Sequence, residues 1–119
     1  MESIPLGTVV EAQLTTARES ASGRSARTVH GGRGSVLRQT LLALTAGNRL
    51  DDHDTPGEAT LQVLHGQVRL GTSTDSQEAT AGDLLTIPPE RHNLLAVVDS
   101  AVLLTVALPA AGPGRDAQQ

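Results

Sequence analysis

Rings are missing from this chain: its 119 residues include no Phe, Tyr or Trp. Any core must be built from Leu, Val, Ile and Ala, with each fully buried Leu or Val contributing roughly 1.5–3 kcal/mol. Flat side chains for base stacking are lacking too, which argues against nucleic-acid binding. Cysteine is absent, so disulfides, thiolate nucleophiles and zinc–thiolate centres are excluded. Lysine is absent as well: all nine basic residues are Arg, against thirteen Asp and Glu, for a net charge of −4. That balance leaves no electrostatic footprint for a phosphate backbone. No apolar run approaches the roughly 20 residues of a membrane-spanning helix. The opening MESIPLGT lacks the basic start and apolar centre of a secretory signal. The expectation is a cytoplasmic protein without nucleic-acid or membrane partners. Nucleophile-elbow and dinucleotide fingerprints are also absent. The Gly31–Gly34 run has neither the Lys nor the following helix of a phosphate loop, and reads as a turn.

What is present is a helix signal followed by turn-punctuated apolar segments. Residues 8–20 read as one amphipathic helix, with Val10, Leu14 and Ala17 on one stripe and Val9 and Gln13 flanking. Thr8 and Glu11 have the spacing of a capping box, and Gly23 is a stop signal. The helix is expected against the outside of a β-structure or against a partner subunit. Strand candidates follow at Val36–Leu44, Thr60–Leu64, Gln67–Thr72, Leu84–Ile87, Leu94–Val98 and Ala101–Leu108. Ser73–Ser76 is a polar hairpin tip, Ala81-Gly82-Asp83 and Asp99-Ser100 are turns, and Pro88-Pro89 stops a strand. Short strands at regular turn spacing predict a sandwich or barrel. Residues 1–25 are read as helix and linker, 26–109 as one barrel, and 110–119, rich in Ala, Gly, Pro and polar residues, as a disordered tail.

Two glycine-anchored segments carry the chemistry. Gly47 is followed by five residues and then His53, and Gly66 closes that segment. Gly82 is followed by five residues and then Pro88, with His92 shortly after. These segments resemble the two signature motifs of the cupin superfamily, and the PGEATLQVLHG run resembles small stand-alone bacterial members. The resemblance implies an all-β fold, a double-stranded β-helix (jelly-roll barrel) with a short N-terminal helix. It also implies a divalent metal (Fe, Mn, Ni or Zn) held by three His and one Glu inside the barrel, and a homodimer paired through the outer sheet and N-terminal segment. Aligned residue by residue, His53 takes the first-His position, Thr55 stands where the second His belongs, and Ala59 where the Glu belongs. The third His is expected at Asn93, with His92 one residue early, and Glu90 replaces the motif Gly.

The candidate metal ligands are therefore His53, His92 and the neighbouring Glu58, with His30 and His65 as further imidazoles. Strand parity puts His65 with Leu61 and Val63, on the same side as Ala59. Alternation turns one of Arg38 and Gln39 toward the interior. Gln39, Gln62 and His65 are the candidate ligand-binding residues, a polar group in a Leu/Val-lined cavity being able to orient a small molecule. Solvated or backbone-bonded roles are the alternative for each. Asp51, Asp52 and Asp54 read as a polar loop rather than a hard-cation cluster. Three functions fit: a barrel that binds a small molecule or weakly held metal, a metal-dependent dioxygenase or isomerase using His53 and His92, or a structural accessory protein with a vestigial pocket.

Overall fold

A computed structural model describes residues 1–54 and 57–108; the 110–119 tail lies outside the described residues. Helix α1 (Leu6–Glu19) precedes nine strands. These are β1 (Arg24–His30), β2 (Leu37–Leu44), β3 (Arg49–His53), β4 (Glu58–His65), β5 (Gln67–Gly71), β6 (Ser76–Thr80), β7 (Leu84–Thr86), β8 (His92–Ala96) and β9 (Ser100–Ala107). They form a five-stranded sheet, order β1-β2-β9-β4-β7, and a four-stranded sheet, order β3-β8-β5-β6. Every pairing is antiparallel. Between β2 and β9 the chain crosses repeatedly from one sheet to the other, as in a jelly roll.

The strands with strong apolar alternation form where their sequences predict. On β4, Ala59, Leu61 and Val63 point inward and are buried. They meet Leu44, Val102 and Val106 of the same sheet and Val68, Leu70, Leu94 and Ala96 of the opposite one. This inter-sheet core is wholly aliphatic. β1, β3 and β6 were not signalled by the sequence, and the reason is physical. β6 buries only Ala79 among its five residues, and β1 and β3 contain no fully buried side chain. Backbone pairing to a stronger neighbour holds them, not an apolar face of their own.

The apolar stripe of α1 packs as its spacing predicts. Val9, Val10, Leu14 and Ala17 are buried against Leu41, Ala43, Ala101 and Leu103 on the outer face of the five-stranded sheet. The helix begins two residues earlier than the capping-box reading. Pro5, at φ −77°, is the N-cap residue, its carbonyl accepts from Val9 N at 3.1 Å, and no side chain caps the start. Thr8 is therefore already inside the first turn. Asp99 ties the helix down. Arg18 Nε donates to its Oδ2 at 2.8 Å, and Ala46 N donates to its Oδ1 at 2.8 Å. These donors hold the Asp99 carboxyl below its ordinary pKa, the Arg18 hydrogen bond foremost.

Candidate functional site

The motif glycines do a backbone job. Gly47, Gly66 and Gly82 all have positive φ (85°, 85° and 97°), a conformation that L side chains adopt only with strain. Each makes a tight turn between strands. The turn at Gly47 delivers the chain into β3, which ends on His53. The turn at Gly82 delivers it into β7, and Pro88-Pro89 then breaks the strand before β8 begins at His92.

β3 and β8 are antiparallel neighbours, and His53 is the direct partner of His92. Their rings touch edge to face, with centroids 4.5 Å apart and planes at 62°. His92 shares its face with Leu94 and Ala96 of the inter-sheet core and is 2% exposed, whereas His53 is exposed. The pair thus runs from the barrel interior to its surface. A β-bulge is responsible. Leu50 pairs with Leu94 and His53 with His92, so three steps along β3 match two along β8. Strict alternation from inward-facing Leu50 would have turned His53 outward; the extra residue returns it to the interior face.

Alternation also resolves the offset at the second motif. His92 takes the inward position and Asn93 points to the outer face. There Asn93 Nδ2 donates to Asp52 Oδ1 at 3.0 Å.

Both rings are oriented by the backbone. His53 Nδ1 lies 2.9 Å from the Asp51 carbonyl, and His92 Nδ1 lies 2.9 Å from the Glu90 carbonyl. A carbonyl can only accept, so each Nδ1 carries a proton, and in the neutral ring it is Nε2 that offers a lone pair. Metal-binding imidazoles are commonly oriented in this way. Residues that the sequence reading left without a role brace the pair. Arg91 donates to the Asp52 carbonyl at 3.1 Å and approaches Asp54 at 3.8 Å, linking the end of β3 to the start of β8. Asp51 lies 3.6 Å from Arg49. The three aspartates are thus engaged with Arg and Asn, in keeping with a polar loop.

The other candidates are not brought to the pair. Glu58 is exposed and, by alternation, lies on the face opposite buried Ala59. Gln62 pairs with Leu103, which packs under α1, so it too faces outward. Gln39 is on the same outer face, donating to Thr105 Oγ1 at 3.2 Å; its neighbour Arg38, paired with core residue Val106, is the one on the inner face. His65 departs from the parity expectation. A bulge between Val63 and His65 makes His65 the partner of Ala101, an outer-core residue, and puts it beside Leu64 and Glu11. His30 also follows a register shift and lies in an outer cleft with Glu2 and Gln39. Thr55 lies outside the described residues. Among the described residues, no three His, Asp or Glu side chains come together at a point that would hold a metal. Among the described residues, no helix is long and apolar enough to cross a membrane.

No known family profile and no curated protein matches this sequence. Solved structures do. A conserved protein of unknown function from Streptococcus pyogenes is 25% identical, with a TM-score of 0.68, over 77% of this chain and 80% of that one. An RmlC-like cupin from Desulfovibrio desulfuricans is 27% identical, with a TM-score of 0.63, over 73% of this chain and 84% of that one. A mutant of salicylate 1,2-dioxygenase from Pseudoaminobacter salicylatoxidans is 18% identical, with a TM-score of 0.70; 95% of this chain is matched but only 34% of the dioxygenase, and the likeness is one of fold. Together with its two glycine-framed motifs and its paired antiparallel sheets, these neighbours show that the chain has the jelly-roll fold of the cupin superfamily, and small bacterial cupins are among the structures it is similar to.

Proposed function

We propose that the chain is a binding protein whose site is the His53–His92 pair, holding a small molecule or a weakly bound divalent ion. One observation carries this reading: two imidazoles in contact, each with Nδ1 committed to a backbone carbonyl and Nε2 left as an acceptor.

The donor set does not fit a resident catalytic metal. Such a site ordinarily takes about three protein ligands and an open position, and the described residues bring two together. Ala59 stands inward where the cupin carboxylate would be, and Glu58 faces away. Two imidazoles suit an exchangeable ion, with water or a bound molecule completing its shell.

Titration with Ni(II) by calorimetry tests the reading. One weak site per chain is expected, lost in His53→Ala and weakened at acidic pH, because an imidazole must be unprotonated to bind. Undiminished binding in His53→Ala would remove the pair from the account. A homodimer is part of the proposal, supported by the exposed apolar side chains Ile4, Val36 and Leu37. Sedimentation equilibrium at micromolar concentration should return twice the 12.3 kDa chain mass; the chain mass itself would refute the dimer.

A further inference from the structure

The edges of the two sheets leave an opening between them. β6 is one edge of the four-stranded sheet, opposite β3, which carries His53; β7 is an edge of the five-stranded sheet. The two edges leave a cavity of about 260 Å³ between them. Its apolar side is Leu70, Leu85 and Pro88, and Leu70 belongs to the inter-sheet core. Its polar side includes Asp75, Gln77 and Thr86.

The charge of the lining is one-sided. Among the described residues, Asp75 is the only ionisable side chain that lines the cavity. The carboxylate is also held in place. Asp75 Oδ1 accepts from Ser76 N at 2.8 Å, and Asp75 N donates to Thr72 Oγ1 at 3.1 Å. Oδ2 has no hydrogen-bond partner among the described residues. The Gln77 amide donates to the Glu78 carbonyl at 3.1 Å through Nε2, which leaves its carbonyl oxygen as a second acceptor. Both acceptors belong to exposed side chains at the edge of an aliphatic floor, in a space just below the usual size of ligand sites. No ring is available to stack on an aromatic ligand, because the chain has none.

We propose that this seam between β6 and β7 is a second binding site, for a small aliphatic primary amine. The ammonium sits at Asp75 and the Gln77 carbonyl, and three to five carbons lie along Leu70, Leu85 and Pro88. A carboxylate of the same length is repelled by Asp75, and the matching alcohol lacks the charge. The site shares no lining residue with the histidine pair, although Leu70 pairs with Leu94, two residues along β8 from His92.

The test is an amide-resolved NMR titration with n-butylamine as its ammonium salt, n-butanol and butyrate, each on the intact chain. Butylammonium should shift the amides of Leu70, Asp75 to Gln77, Leu85 and Thr86, with weaker binding in high salt. Butanol should bind less well, and butyrate should leave these amides unmoved. Asp75→Asn keeps the acceptor for Ser76 N, and so the hairpin, but removes the charge. It should weaken butylammonium binding by about fivefold, the factor for one partly exposed charge pair, and leave Ni(II) binding unchanged. Equal response to all three probes, shifts elsewhere on the surface, no response to butylammonium, or undiminished binding in Asp75→Asn would each overturn the proposal.

Discussion

Gly47 and Gly66 form a matched pair for an experiment on the motif glycines. Both have φ of +85°, so a side chain meets the same backbone strain at each. They differ in space. Nothing lies within 4 Å of a Cβ built on Gly47, whereas one on Gly66 collides with the Asp99 carbonyl and with Ser100. Gly47→Ala should therefore cost only the left-handed strain, about 1–2 kcal/mol. Gly66→Ala should cost that plus about 1–3 kcal/mol for the forced shift of a packed turn, about 2–5 kcal/mol together. At about 2.1 cal/mol/K per residue, a chain of 119 residues loses about 4 °C of Tm per kcal/mol. The expected falls are about 4–8 °C for Gly47→Ala and about 8–20 °C for Gly66→Ala. Thermal melts by circular dichroism, checked by urea unfolding at constant slope, read both. The bulge that turns His65 outward directly precedes Gly66, so Gly66→Ala should also disturb the His65 amide. Equal costs for the two variants would refute the steric half of the argument; no cost for Gly47→Ala would refute the strain half.

Three further outcomes follow from the same geometry. Ser100 is fully buried, accepts from Gln67 N at 3.0 Å and donates to the Val98 carbonyl at 2.7 Å. Ser100→Ala strands a buried donor and should cost about 1–3 kcal/mol in urea unfolding, whereas a cost near zero would show that water reaches Gln67 N. The Asp99 carboxyl has a folded pKa below its unfolded value, so its contribution is present above roughly pH 4 and is lost as pH falls through the folded value. Asp99→Asn should lose at most about 1 kcal/mol at pH 7, Arg18 and Asp99 being half and one-third exposed. That difference should vanish in strong acid; one that grows on acidification would reverse the assignment. Finally, His53→Ala should leave stability within about 0.5 kcal/mol, because His53 is exposed. His92→Ala, at a site 2% exposed, should cost more in the same urea assay; equal costs would mean that His92 is not packed as described.

Much of the architecture could be read from residue order. Apolar runs between turn signals marked β2, β4 and β9, and alternation marked β5, since a half-buried strand shows its inner face every second residue. Spacing of three and four residues marked the α1 stripe from Val9 to Ala17. The intervals from Gly47 to His53 and from Gly82 to Pro88 marked the turns that frame the site, because a positive φ selects glycine locally and leaves a visible trace. β1, β3 and β6 left none, as their order comes from hydrogen bonds to neighbouring strands.

Residue order alone specifies an aromatic-free aliphatic core, an amphipathic helix to cover one sheet, and the glycine-framed segments that carry two of the histidines. Which way the histidines point is set by strand pairing in the folded chain. Register shifts lie just before His30, His53 and His65, and one extra residue in a strand reverses the face of everything after it. His53 was thereby turned inward onto His92, His65 was turned outward, and Glu58, next to the expected ligand position, stayed on the far face. A bulge is chosen by the pairing of distant strands, and so alternation counted along one segment does not reveal it.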